Sequence, residues 1–212
     1  MIKTIIFDLG NVLVYFDEMP IFRKWAAAGN KKISQVMDYY KKSRPRRDFE
    51  KGKISPKQFY DKTVQDLGLK MTINDFRKNW NEIFTLNKGA ERIVKSLKGK
   101  YNLILLSNTN IWQYEYVKKK YKVVDLFDEH ILSYEVGMRK PNPMIYLIAL
   151  RKSKTLPFNC AYFDDIPQFI KVAGIIGIKA FQYKEIEKLR NDLNKLKILW
   201  EISWQNLSGI LY

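Results

Sequence analysis

The chain has 212 residues, 46% of them hydrophobic, one cysteine and a formal net charge of +16, enough to bury one generous domain or a core domain with a smaller one inserted. No apolar run reaches the roughly 20 residues of a membrane span, a single Cys excludes an internal disulfide framework, and the stretch after Met1 lacks the n-region and cleavage site of a signal peptide, so a cytoplasmic protein is expected. The basic residues are spread from Lys3 to Lys197 with only short runs, which favours solvated helix faces over a nucleic-acid or membrane partner, although such a field would speed capture of a phosphorylated substrate.

Residues 2–8 read as a buried strand that ends in a carboxylate, Asp8, followed by the turn signal Gly10-Asn11. Residues 16 to about 88 contain no convincing strand. Pro20–Ala28, Ile33–Lys42, Pro56–Leu67 and Thr72–Phe84 read instead as amphipathic helices, separated by Gly29-Asn30, Gly52 and Gly68. Ser55-Pro56 is a clear helix start, with Ser as N-cap and Pro in the first position. Beyond them, Tyr101–Ser107, His130–Ser133, Cys160–Phe163 and Ile178–Gln182 read as further strands. Gly89–Lys98, Pro143–Lys152, Pro167–Ile175 and Lys184–Lys197 carry helical patterns. Strands alternating with helices imply an α/β fold, a doubly wound parallel sheet covered on both faces. The expected division is a core of residues 1–15 and 89–212, interrupted after its first strand by a helical insert at 16–88. Trp200–Tyr212 is apolar enough either to close the core or to form a dimer surface, which leaves monomer and homodimer both open.

Four features fall at the C-terminal ends of these strands, the edge where open α/β sheets bind ligands. They are Asp8, Ser107-Asn108, Lys140 before Pro141, and Asp164-Asp165. Each alone has an ordinary explanation: a turn Asp, a helix N-cap, a surface Lys, and a capping box over Asp165-Ile166-Pro167-Gln168. Together they make a site. Three converging carboxylates repel one another unless a hard, oxygen-preferring cation such as Mg²⁺ neutralises them. A Lys, a Ser hydroxyl and backbone N–H groups beside them would cradle a phosphoryl group, and an Asp can attack phosphorus.

In these motifs the chain closely resembles the haloacid dehalogenase superfamily of Asp-nucleophile hydrolases, over nearly its whole length. Phe7-Asp8-Leu9-Gly10-Asn11-Val12-Leu13, Leu106-Ser107-Asn108-Thr109, Gly137-Met138-Arg139-Lys140-Pro141 and Phe163-Asp164-Asp165 resemble its four motifs. The Asp-Leu-Gly-Asn-Val and Gly-Met-Arg-Lys-Pro variants are similar to those of α-glucose-1-phosphate phosphatases and of the phosphatase-like domain of epoxide hydrolases. The resemblance implies a Rossmann-like core, a helical cap of the first type at 16–88, and an Mg²⁺-dependent phosphatase of small phosphorylated metabolites. It implies Asp8 as nucleophile and metal ligand, with the Gly10 carbonyl as a second ligand. Asp165 would be the direct acidic ligand and Asp164 its support, two roles that could be exchanged. Ser107 and the Asn108 backbone would hold the phosphoryl oxygens, and Lys140 would balance the charge of Asp8 and of the transition state.

One departure matters. The family's phosphatases usually carry an Asp two residues after the nucleophile, as general acid and base, and here that residue is Gly10. Such help is typically worth about 10²–10⁴ in rate. Its loss favours leaving groups that need little protonation, so anomeric sugar phosphates are expected over alkyl phosphates. Asp17, where the chain enters the insert, is a candidate substitute that ordinary turn chemistry also explains. His130, the only histidine, is expected to be structural. Arg46–Glu50 belongs to the insert and is expected to form a solvated helix face, the alternative being that it faces the pocket and reads substrate. The competing readings are a metal-free 2-haloacid dehalogenase using the same Asp, against which Asp164-Asp165 argues, and a non-catalytic binding protein.

Overall fold

The computed structural model describes residues 1–198; the Trp200–Tyr212 segment lies outside them. The chain begins with β1 (Thr4–Phe7) and β2 (Val14–Phe16). Five helices follow: α1 (Met19–Ala28), α2 (Ile33–Lys42), α3 (Arg44–Phe49), α4 (Pro56–Leu67) and α5 (Ile73–Asn81). Then come β3 (Phe84–Leu86), α6 (Lys88–Leu97), β4 (Asn102–Ser107), α7 (Ile111–Lys120), β5 (Glu129–Leu132) and α8 (Ser133–Val136). The chain continues through α9 (Pro143–Ser153), β6 (Cys160–Asp164), α10 (Pro167–Ile175), β7 (Lys179–Gln182) and α11 (Ile186–Lys195).

The main sheet has the order β5-β4-β1-β6-β7, parallel throughout. Strand order reverses at β1, which creates the crevice where such sheets bind ligands. The central strands are continuous apolar runs because both faces are covered. Ile5 and Phe7 point to one face, with Leu103, Leu105 and Phe163, under α6, α7 and α11. Ile6 points to the other, with Ile104, Leu106 and Tyr162, under α9 and α10. The register pairs Phe7 with Leu105 on one side and with Phe163 on the other. Asp8 therefore emerges beside Asp164.

The five inserted helices surround an aromatic core of their own, including Trp25, Phe49, Phe59, Phe76 and Trp80. Trp25 stacks on Phe76 at 4.8 Å, and Phe49 on Phe59 at 4.6 Å. Helix α4 starts as its sequence predicts: Ser55 Oγ accepts from the Gln58 N–H, and Gln58 Oε1 accepts from the Ser55 N–H. At its other end Gly68 takes the left-handed conformation.

Three expectations need correction. The stretch 16–88 does contain strand: β2 and β3 pair antiparallel, Phe16 opposite Phe84, so the chain enters and leaves the insert through one two-stranded ribbon. The helix expected over Thr72–Phe84 accordingly ends at Asn81. Three-residue strands are too short for a visible alternation, and only their pairing defines them. Helix α3 is the short helix expected around Arg46–Glu50, whereas α7, directly behind the Ser107-Asn108 turn, is an addition to the expected elements. The capping box at Asp165 does not form. The Asp164 carboxylate takes the Ile166 N–H at 2.8 Å instead, and Asp165 turns to Asn11.

Candidate active site

Asp8 follows β1 at the sheet's C-terminal edge and is almost fully buried. Its N–H donates to the Phe163 carbonyl at 2.9 Å, which ties the strand end to β6. A tight turn follows: Asn11 has φ 55° and its N–H donates to the Val14 carbonyl at 2.7 Å. Asn tolerates this left-handed backbone better than most residues. The turn aims the Asn11 amide at Asp165 Oδ2, 3.0 Å away.

Lys140 Nζ, fully buried, lies 2.8 Å from Asp8 Oδ1, 2.6 Å from Asp164 Oδ2 and 3.0 Å from the Leu106 carbonyl. Three acceptors match the three N–H donors of an ammonium group. Asn108 fixes the loop that brings Lys140 in: its amide donates to the Lys140 carbonyl at 2.9 Å, and its Oδ1 accepts the Lys140 N–H at 2.7 Å. The helix N-cap here is Asn110, not Ser107 or Asn108. Asp164 is saturated by protein, since it also receives the Tyr162 hydroxyl and the Ile166 N–H. Asp165 is half-buried and lines the cavity.

Carboxylate oxygens of Asp8, Asp164 and Asp165 lie within 4.8 Å of one another. Burial pushes the Asp8 carboxyl up to about 7; Lys140 works against the rise, and the charges of Asp164 and Asp165 add to it. Burial also raises Asp165, against the hydrogen bond from Asn11. Acids destabilised by burial and by one another, held by a single ammonium, are a donor set that a hard cation would fit.

The sequence-predicted residues Asp8, Gly10, Ser107, Asn108, Lys140 and Asp165 line one cavity of about 260 Å³, with Asp164 behind them. Gly10 faces β2: a Cβ there would lie 2.9 Å from the Phe16 ring. Asp17 is exposed and caps α1 by accepting the Met19 N–H at 2.9 Å. It does not line the cavity. His130 bonds the Tyr114 hydroxyl, also away from the cavity.

The expectation of a solvated face at Arg46–Glu50 is overturned. Arg46 and Glu50 line the cavity with Glu18, Tyr40, Gln113 and Arg139. Glu50 Oε1 lies 3.3 Å from Arg46 and Oε2 lies 2.8 Å from Arg139. The Arg46 guanidinium sits 4.3 Å over the Tyr40 ring. Burial opposes its charge, but Glu50 beside it wins and holds Arg46 more firmly protonated than usual. Burial likewise pushes the Tyr40 phenol well up, and Tyr40 donates to Glu18 Oε1 at 2.5 Å. The available signal was the i,i+4 spacing of Arg46 and Glu50 on the expected helix; which way that helix face turns depends on packing, which the spacing does not encode.

The profile of the haloacid dehalogenase-like hydrolases matches residues 2–174. The chain is 26% identical, over 200 residues, to the D-ribitol-5-phosphate phosphatase of Bacteroides thetaiotaomicron, covering 91% of this chain and 97% of that one. Among solved structures, a haloacid dehalogenase-family enzyme of the same bacterium, in complex with magnesium and inorganic phosphate, superimposes with a TM-score of 0.79. It is 27% identical over 87% of this chain and 95% of its own. A predicted family hydrolase from Porphyromonas gingivalis also gives 0.79, with 25% identity over 93% and 98% of the two chains. With the parallel sheet, the strand-end carboxylates and the matched profile in agreement, this chain belongs to the haloacid dehalogenase-like hydrolases.

Proposed function

We propose that this protein is an Mg²⁺-dependent phosphatase of small phosphorylated sugars and polyols that works through an aspartyl-phosphate on Asp8. The observation that carries the reading is the buried triad of Asp8, Lys140 and Asp164 beside Asp165, at the floor of a cavity walled by polar side chains of the insert. Asp8, the Gly10 carbonyl and Asp165 would hold the ion, with Asp164 holding Lys140 in place. When bound, Mg²⁺ supplies positive charge to the phosphoryl oxygens and a fixed orientation for them. Ser107 and the Asn108 backbone hold the other phosphoryl oxygens. The Asp8 carboxylate attacks phosphorus, the bond to the leaving oxygen breaks, and that oxygen takes a proton from water. A second water then attacks the aspartyl-phosphate, releasing inorganic phosphate and restoring Asp8. Lys140 balances the negative charge in both steps. Residues 16–88 act as a cap over a core of 1–15 and 89–212, excluding bulk water and reading the leaving group.

Gly10 has no proton to offer, which favours anomeric sugar phosphates. The ribitol 5-phosphate in the relative's name has an alkyl leaving group, which favours polyol phosphates. A panel of aldose 1-phosphates, polyol 5-phosphates and p-nitrophenyl phosphate decides between the two. With Mg²⁺, all turnover should depend on Asp8, and Asp8→Asn and chelation should each abolish it. Metal-independent release of halide from a 2-haloacid, with no phosphatase activity, would overturn the assignment.

A further inference from the structure

We propose that Glu50 is a charge filter: it neutralises Arg46 and Arg139, so that the leaving-group end of the cavity admits uncharged, hydroxyl-rich groups and rejects a second anion. The inference rests on the phosphatase reading above and names the class of leaving group.

Glu50 is held from several sides. Its Oε1 faces Arg46 at 3.3 Å and its Oε2 faces Arg139 at 2.8 Å. Its side chain is 9% exposed, so these pairs are little screened by solvent. Its backbone carbonyl accepts a hydrogen bond from Ser133 Oγ at 2.6 Å, a link from the insert to the sheet unit. The Glu50 backbone is thereby anchored, and its carboxylate lies between the two guanidinium groups. Glu18, the other acid at this end, accepts from Tyr40.

Among the described residues, the cations lining the cavity are Arg46, Arg139 and Lys140. Lys140 is fully occupied by Asp8, Asp164 and the Leu106 carbonyl. The other two share Glu50. An unpaired guanidinium in such a cavity would grip a second phosphate or a carboxylate in a two-pronged contact. Here that anion would face Glu50 and Glu18 and would have to displace an existing ion pair. Hydroxyl groups can donate to the carboxylates and accept from the arginines without breaking either pair. Selection by repulsion of the wrong ligand is a recognised source of specificity.

Two open-chain substrates test this, sorbitol 6-phosphate and 6-phosphogluconate, which differ in a terminal hydroxymethyl against a carboxylate. The protein should prefer sorbitol 6-phosphate in kcat/KM by at least about tenfold. Glu50→Gln should shift that ratio by at least about tenfold toward 6-phosphogluconate, and Arg139→Gln should shift it the other way. Equal use of both substrates by the unaltered protein would overturn the proposal. So would a ratio that does not move in whichever of the two variants folds, because a merely structural defect lowers both substrates together. Mg²⁺- and Asp8-dependent turnover of p-nitrophenyl phosphate is measured alongside. Its absence refutes the phosphatase reading itself, whereas its presence with a fixed ratio refutes only the filter.

Discussion

Each N–H of the Lys140 ammonium has a buried acceptor, and two of the three acceptors are carboxylates. Removing the cation would strand both acids in the interior. Lys140→Met should therefore cost about 3–5 kcal/mol of stability at neutral pH, and under the proposed mechanism lower kcat by about 10²–10³. The stability loss has a definite pH sign. Asp8 is already raised to about 7, by burial first and then by its acidic neighbours, with Lys140 opposing the rise. Without Lys140 it rises further. A buried acid with a raised pKa costs stability once the pH passes its unfolded value, as the unfolded chain ionises and the folded one does not. The variant should be closest to the unaltered protein near pH 4 and furthest from it near pH 8, as urea unfolding at the two values will read. Asp8, Lys140 and Asp165 could be picked out from sequence because each stands next to a recognisable strand end or turn. Glu50 fell in a stretch for which a pocket-facing position was only the second reading, and its pairing with Arg139, a residue far along the chain, had no local signal.

At the scale of elements, the α3–α4 turn carries Glu50 to the sheet unit. Gly52 has φ +65°, and a Cβ there would meet the Tyr134 carbonyl oxygen at 2.1 Å. Only glycine permits so close an approach of two backbones without displacement. Gly52→Ala should destabilise the fold by roughly 1–3 kcal/mol. It should also raise KM for sugar or polyol phosphates more than for p-nitrophenyl phosphate, since Glu50 moves with the turn; steady-state kinetics on both substrates checks this. Helix α4 and the central strands were readable because a Ser N-cap, a Pro in the first position and unbroken apolar runs are local signals. The β2–β3 ribbon was not, because three-residue strands are defined by their partner. Helix α7 packs Trp112 into the insert's aromatic core while Asn110 accepts from Trp80 Nε1 at 3.2 Å. Its stabilising contacts are thus with a distant part of the chain.

Across the whole molecule, a sheet unit and an aromatic-cored insert meet over one cavity, with Asp8 and Asp165 in its lining and Asp164 behind them, so an ion held there under the proposed function would add to the stability of the fold. Mg²⁺ at 100 times its Kd should add about 2.7 kcal/mol by mass action. Thermal melts with and without the ion should show the rise in Tm, and Asp165→Asn should remove it. Among the described residues no helix is long and apolar enough to cross a membrane. The +16 charge is distributed over both units, with many lysines exposed. The amino-acid sequence by itself determined the parallel α/β core, the interruption after the first strand, and the candidates Asp8, Ser107 and Asp164-Asp165 at strand ends, because periodicity, caps and strand-end motifs are local; Lys140, expected at a strand end, lies instead in the loop between α8 and α9. Only the tertiary structure decided that Asp164 supports Lys140 while Asp165 faces the cavity, that Phe16 covers Gly10, and that Glu50 stands between two arginines. Those outcomes depend on register and on contacts between residues distant in sequence, which no local pattern encodes.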